Sequence, residues 1–136
     1  MSGEIEKFEV LLSKTVKILK SFDFVHSILL FGSRARGISG RDIDICIIPS
    51  KELDLRYRLI LESSVPSDID ISLFYELSIH IRKRIFEEGQ VLHTKDMYHL
   101  LTVLKETDFE YSSYQKHREY YNQAMQQRIR KKVGRR

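Results

Sequence analysis

A glycine-serine pair and a nearby Asp-x-Asp sequence are the residues of this chain best suited to chemistry. Gly32 and Ser33 follow a short apolar run, and a turn of this kind can lead into a helix whose free backbone N–H groups bind phosphate. Asp42 and Asp44 are two residues apart, so on a strand both carboxylates point to the same face. A divalent cation would let the two carboxylates stay ionised side by side. The combination predicts metal-assisted chemistry on a nucleoside triphosphate.

The next apolar segment offers a third acid. Asp68, Asp70 and Ser72 alternate with hydrophobic residues in this segment, so they share one face of the predicted strand. Asp70 lies deeper in the apolar segment than Asp68, and we therefore take Asp70 as the third acid. Magnesium suits such a set best, because it is a hard ion that combines few carboxylates with substrate phosphates.

Taken singly, each of these features has an ordinary structural explanation. A Gly-Ser pair after a strand is usually only a turn, and paired aspartates on an amphipathic strand are often a solvated face. Cys46 shares the predicted face of the two acids, but the only cysteine of the chain is more typical of a small packed side chain than of a nucleophile. The five histidines are too scattered to predict a metal site, and we assign them no catalytic role.

The order of these features resembles the minimal nucleotidyltransferases of the DNA polymerase beta superfamily. The resemblance covers roughly residues 25 to 93, and the loop of eight residues between Ser33 and Asp42 is shorter than in many relatives. It rests on Phe31-Gly32-Ser33-Arg34-Ala35-Arg36-Gly37, on Asp42-Ile43-Asp44-Ile45, on Asp70 in the later strand and on a helix ending as Ile85-Phe86-Glu87-Glu88-Gly89. The resemblance implies an α+β, polymerase-beta-like nucleotidyltransferase fold, with a small mixed sheet flanked by helices and a C-terminal helical segment.

The resemblance also implies the roles of individual residues. Four residues would bind the nucleotide, namely Gly32, Ser33, Arg34 and Arg36. Three acids would be catalytic and would bind two Mg²⁺ ions per site, namely Asp42, Asp44 and Asp70. ATP is the expected substrate. Arg41 and Lys83 could add phosphate contacts, although a solvated charge is the more ordinary interpretation of both.

A biological context follows from the same resemblance. Small single-domain members of this branch are often antitoxins paired with a HEPN ribonuclease, and some transfer AMP from ATP to a tyrosine of that toxin. We therefore expect magnesium-dependent transfer of AMP to a hydroxyl, most simply on a partner HEPN toxin. Two alternatives stay open. One is an antitoxin with little or no activity that neutralises its toxin by binding, and the other is nucleotidyl transfer to a small molecule or an RNA end.

The composition agrees with a single domain. A chain of 136 residues, 42% hydrophobic, is long enough for one compact domain and too short for two of ordinary size. The single cysteine cannot form an internal disulfide, which favours a reducing compartment. No apolar stretch reaches the length that spans a bilayer, and the N-terminal residues do not resemble a secretory signal. We expect a cytoplasmic protein that does not contact a membrane.

Hydrophobic spacing predicts the elements that position the site. A first helix is expected from about Glu4 to Phe22, a second helix around residues 53–61, a third that ends at Gly89, and a short edge strand at 91–93. We divide the chain into a nucleotidyltransferase core (1–95), a C-terminal helical extension of the same domain (96–127) and a basic tail (128–136). The tail could contact nucleic acid or an acidic protein face, or be a frayed end.

An aromatic stripe is expected along the C-terminal helix. Its members recur at spacings of three to four residues and are Tyr114, His117 or Arg118, Tyr121 and Met125. Most such stripes pack on their own domain, which is the interpretation we favour here. The alternative is a docking face for a partner.

Overall fold

A four-stranded mixed sheet is the framework of the computed structural model, which describes residues 2–32 and 42–134. The described elements are α1 (Ser2–Lys20), β1 (Val25–Phe31), β2 (Ile43–Pro49), α2 (Leu55–Ser64), β3 (Ile69–Leu73), a 3-10 turn (Phe74–Glu76), α3 (Ile79–Glu88), β4 (Gln90–Thr94) and α4 (Met97–Gly134). The expected α+β class, with a small mixed sheet flanked by helices, is confirmed. Helix α1 begins and ends two residues earlier than the sequence pattern predicts.

The strand order is β3-β2-β1-β4, which places the two strands of the candidate site side by side. Strand β1 pairs antiparallel with β2 and with β4, whereas β2 and β3 run parallel. Parallel neighbours need a crossover connection, and α2 lies in the connection between β2 and β3. Strand β4 confirms the edge strand expected at residues 91–93.

Alternation along the strands separates two hydrophobic clusters, one on each face of the sheet. Ile45 and Ile47 of β2 belong to the cluster that includes Leu19 of α1 and Leu61 of α2. The other cluster joins Cys46 and Ile48 of β2 to buried residues of α3 and α4. Asp44 lies on the same face as Cys46 and Ile48, because side chains two residues apart on a strand point in the same direction. The sheet face covered by α3 and α4 therefore ends in a carboxylate.

Helix α3 ends where the sequence predicts, at Gly89, whose backbone N–H donates to the carbonyl of Ile85 at 2.8 Å. A Cβ atom at Gly89 would lie 2.9 Å from the carbonyl oxygen of Leu30 in β1. The missing side chain thus allows the end of α3 to approach β1 closely, two residues before Gly32.

Helix α4 passes without interruption through residue 128, where the basic tail was expected to begin. Its first half packs on α3, and Tyr114 still contacts His80 of α3 with ring centroids 4.7 Å apart. Beyond Tyr114, the described side chains are exposed except for half-buried Ala124. The favoured expectation, that the aromatic stripe packs on its own domain, is wrong beyond Tyr114, because α3 begins beside Tyr114 and the amphipathic period of α4 continues past that point. None of the described helices is both long and apolar enough to cross a membrane.

Candidate functional site

Gly32 forms a turn directly against the carboxylate of Asp44. Its φ of 77° lies in the left-handed region that residues with a side chain rarely adopt. A Cβ atom built at Gly32 would collide with the Asp44 carboxylate and lie 3.1 Å from its Cγ atom. Phe31, the preceding residue, is the register partner of Asp44 across β1 and β2. Both the backbone conformation and the nearby carboxylate therefore require glycine at this position.

Asp44 and Asp70 are register partners on the parallel strands β2 and β3. Adjacent strands lie about 4.8 Å apart, and partners in register project to the same face, so the two side chains are neighbours. Asp44 is half-buried and Asp70 is exposed. The strand alternation expected from the sequence is present. The register of β2 with β3 further shows that these two acids lie directly beside each other.

Negative charge accumulates around Asp44. Burial raises the pKa of the Asp44 carboxyl above its usual value, and the nearby charges of Asp70 and Asp42 raise it further. None of the ion pairs within residues 2–32 and 42–134 includes any of these three aspartates. A bound cation would relieve the repulsion and stabilise the ionised form.

The other two aspartates lie just before the strands. Asp42 is exposed, one residue ahead of β2, and its charge acts on Asp44. Asp68 precedes β3, and its backbone carbonyl accepts a hydrogen bond of 3.0 Å from the N–H of Ile43. The backbone of Asp68 thus helps to align β2 with β3, whereas the side chain of Asp70 lies beside Asp44.

The donor types at this site are those that magnesium prefers, since carboxylates are hard oxygen ligands. Within the described residues, no group of three or more His, Cys, Asp or Glu side chains could by itself hold a metal ion. Magnesium usually keeps several waters and takes further ligands from substrate phosphates. The residues therefore fit an ion that arrives together with a nucleotide better than an ion bound by the protein alone.

Several of the predicted nucleotide-binding residues, and one further candidate, lie outside the described residues. They are Ser33, Arg34, Arg36 and Arg41. The expected helix start near Ser33 also falls there, so of the predicted phosphate-binding residues the described structure places Gly32.

Lys83 is held by ion pairs and Cys46 is buried in the core, so both residues have structural roles. The ammonium group of Lys83 lies 2.6 Å from a carboxylate oxygen of Asp108 and 3.4 Å from one of Glu87. These carboxylates raise the pKa of Lys83, which joins α3 to α4 rather than forming a solvated basic face. Cys46 is fully buried, and burial raises the pKa of its thiol far above the usual range. The interpretation of Cys46 as a small packed side chain is confirmed.

The sequence interpretation missed the contacts that hold α3 against α4. Arg82 donates from both terminal guanidinium nitrogens to the carboxylate of Glu110, at 3.0 and 3.1 Å, next to the Lys83–Asp108 pair. These partners lie 25 and 28 residues apart in the chain. No local spacing indicates them, because charged residues on two separate helices pair only once the helices are packed.

A glycine turn beside paired carboxylates on a small mixed sheet is the arrangement expected from the resemblance to nucleotidyltransferases. The family model "Polymerase beta, Nucleotidyltransferase" matches residues 13–98, and the chain belongs to this family. No curated protein sequence is significantly similar to the chain.

Solved structures of toxin-antitoxin complexes are similar to this chain in fold. One, described as a toxin-antitoxin with AMP-PNP, is 26% identical, covers 79% of this chain and 91% of its own, and has a TM-score of 0.67. A mutant of the MntA-HpeT toxin-antitoxin is 26% identical, covers 79% and 90%, and has a TM-score of 0.66. A chain of the structure described as tri-AMPylated Shewanella oneidensis HEPN toxin in complex with MNT antitoxin is 24% identical, covers 82% of this chain and 92% of its own, and has a TM-score of 0.65. The expected resemblance to MNT antitoxins of HEPN toxin pairs is confirmed.

Proposed function

We propose that this protein is a magnesium-dependent nucleotidyltransferase that transfers AMP from ATP to a hydroxyl of a partner HEPN-type toxin, a tyrosine in the simplest case, and thereby acts as its antitoxin. The observation that carries the proposal is the Asp44–Asp70 pair beneath the Gly32 turn. Membership of the family supports nucleotidyl transfer. The similar structure with AMP-PNP supports an adenine nucleotide, and those with HEPN toxins support the partner.

In the proposed reaction, the acceptor hydroxyl oxygen attacks the α-phosphorus of ATP. A new oxygen–phosphorus bond forms, the bond from the α-phosphorus to the bridging oxygen breaks, and pyrophosphate leaves. Magnesium bound by Asp42, Asp44 and Asp70 would lower the pKa of the hydroxyl and neutralise charge on the leaving group. Gly32, having no side chain, leaves room for the Asp44 carboxylate at this site, and exposed Asp70 would accept the proton of the hydroxyl.

The test is transfer of label from α-labelled ATP to the product of the adjacent gene, as the candidate HEPN-type partner, with purified proteins in Mg²⁺. Wild type should label the partner. Asp70→Asn should lower the rate by about 100-fold or more, as expected for loss of a catalytic acid–base group. Asp68→Asn is the matched control, since it changes an acid two residues away while keeping the backbone carbonyl that bonds Ile43. No labelling by wild type in Mg²⁺ or Mn²⁺ would overturn the proposed activity.

A second candidate function is neutralisation by binding alone. One observation favours it, namely that no group of acids within the described residues could hold a metal ion unaided. The two candidates differ for Asp44→Asn. An enzyme needs the carboxylate, so this variant should fail to protect cells from the toxin, whereas an antitoxin that works by binding should protect as well as wild type.

A further inference from the structure

The last 20 described residues of α4 extend beyond the helices that cover the sheet. We call residues 115–134 the overhang. At 1.5 Å per residue it is about 30 Å long, comparable to the width of a small domain. It carries four exposed large apolar residues, Tyr120, Tyr121, Met125 and Ile129. A helix surrounded by water gains nothing from so many exposed apolar side chains. Their positions around the helix show whether they form one contact face.

Three of these residues continue the stripe by which α4 packs on α3. Within the domain the stripe consists of Leu100, Val103, Thr107, Tyr111 and Tyr114, at spacings of three or four residues. At about 100° per residue, Tyr121, Met125 and Ile129 lie on the same side of the helix. Their exposed fractions are 65%, 39% and 58%, whereas Leu100 and Val103 are 3% exposed.

The stripe loses its partner because α3 begins beside Tyr114. The two helices run antiparallel, since Lys83 pairs with Asp108 while His80, nearer the start of α3, contacts Tyr114. Helix α3 starts at Ile79, so it does not reach farther along α4. A helix placed end to end with α3 would cover the exposed part of the stripe with the same geometry.

The charge of the overhang indicates what kind of surface would cover it. It has six basic residues, Lys116, Arg118, Arg128, Arg130, Lys131 and Lys132, and one acid, Glu119, which gives +6 minus 1, or +5. None of the ion pairs in the described part of the chain includes a residue of the overhang. Two overhangs packed together would repel each other, which disfavours a second copy of this chain. An acidic surface would be attracted.

We propose that the overhang is a docking helix for a protein partner, which covers Tyr121, Met125 and Ile129 with an apolar helical surface bordered by acidic residues. The apolar stripe supplies the buried contact, and the basic residues speed and orient the encounter. This inference rests on the proposed function in one respect, in that the HEPN-type toxin is the partner. It assigns the recognition of that partner to a segment outside the catalytic sheet.

The test compares two adjacent tyrosines on different faces of the overhang. Tyr120 and Tyr121 are 75% and 65% exposed, and they point about 100° apart around the helix. Binding of the full-length protein to the product of the adjacent gene, the candidate HEPN-type partner, is measured by calorimetry. Tyr121→Ser should raise Kd by about tenfold and the triple variant Tyr121→Ser, Met125→Gln, Ile129→Gln by about 100-fold. Tyr120→Ser should stay within about twofold of wild type, and circular dichroism should show unchanged helix content.

A charge variant tests the second part of the proposal. Arg130→Glu with Lys131→Glu should lower the association rate about tenfold at low salt and remove most of its dependence on salt, while Tyr121→Ser should act on dissociation. An equal salt dependence for wild type and the charge variant would overturn the assignment of an acidic partner surface.

The triple variant separates the docking proposal from the proposed function. Unchanged binding by the triple variant would overturn the docking proposal, whereas labelling of the toxin by that variant would leave the proposed function intact. Absence of binding by wild type would remove the HEPN partner and the docking proposal together. A wild-type dimer that becomes monomeric in the triple variant, or single-stranded RNA binding that depends on Tyr121, would identify another occupant and overturn the inference.

Discussion

At the scale of single residues, Asp44 combines a proposed role in catalysis with a cost in stability. It is half-buried beneath the Gly32 turn and faces the charges of Asp70 and Asp42, and its pKa is raised for these reasons. An acid whose pKa is raised on folding destabilises the folded state once it is ionised. The loss develops as the pH rises above the ordinary aspartate pKa and is complete above the raised pKa.

Replacement of Asp44 by Asn should therefore stabilise the protein without metal. We expect a rise in melting temperature of about 2–5 °C at pH 7.5 in EDTA, and a smaller rise at pH 4, where the wild-type carboxyl is more protonated. Differential scanning fluorimetry measures both. Addition of ATP and Mg²⁺ should raise the midpoint of wild type more than that of the variant. An Asp44→Asn midpoint below that of wild type at pH 7.5 in EDTA would contradict this account.

Gly32→Ala should damage both stability and activity. The alanine must adopt a left-handed conformation, at a cost of about 1–2 kcal/mol, and its methyl group would displace the Asp44 carboxylate. Urea unfolding measures the first effect, and labelling of the HEPN protein measures the second. Gly3→Ala is the control, because no atom lies within 4 Å of a Cβ built there. It should be neutral or slightly stabilising in the exposed first turn of α1.

At the scale of elements, two contacts position α3 with respect to the site. Its C-terminal end meets β1 at Gly89, and its side meets α4 through Arg82 and Lys83. Arg82 also donates to the backbone carbonyl of Leu77, so its guanidinium is bonded on both sides. The ion pairs thus fix the helix that covers the sheet face on which Asp44 lies.

Arg82→Gln should destabilise the protein by about 1–2 kcal/mol, because it removes a bidentate, charge-assisted contact from a side chain that is only 15% exposed. Arg84→Gln, on the exposed side of the same helix, is the matched control and should change the free energy of unfolding by less than about 0.5 kcal/mol. Chemical denaturation in urea compares the two. Similar effects for both variants would show that the Arg82–Glu110 pair has no particular structural role.

The extent of successful prediction from sequence differs between elements for physical reasons. Alternation along β2 and the glycine after α3 are local signals, and they predicted the face of Asp44 and the helix end at Gly89. The pairing of Asp44 with Asp70 depends on the register of two strands joined by a crossover, which local spacing does not determine. The stripe on α4 was recognisable, but its period does not tell how far along α4 the covering helix α3 extends.

At the scale of the whole molecule, the excess positive charge and the hydrophobic core lie in different parts of the chain. The overhang has a formal charge of +5, whereas the whole chain has +4. The rest of the chain therefore carries +4 minus 5, or −1. No member of either core cluster within the described residues lies beyond Val103. The folded domain should therefore be almost independent of the overhang.

A chain that ends at Tyr114 should keep its fold. We expect its melting temperature to stay within about 2 °C of wild type, since the removed residues bury little apolar surface. A chain that ends at Leu104 should melt at a clearly lower temperature, because it lacks Asp108 and Glu110, the partners of α3. Calorimetric scans of both truncations check this, and a large loss of stability on removal of residues 115–136 alone would contradict it.

Strand β3 is an outer strand of the described sheet, and Asp70 is exposed on it. In the described part of the chain, the acids thus lie toward the flank of the sheet rather than at its centre. In the proposed reaction, approach from this side would let a tyrosine be modified while it remains part of a folded polypeptide.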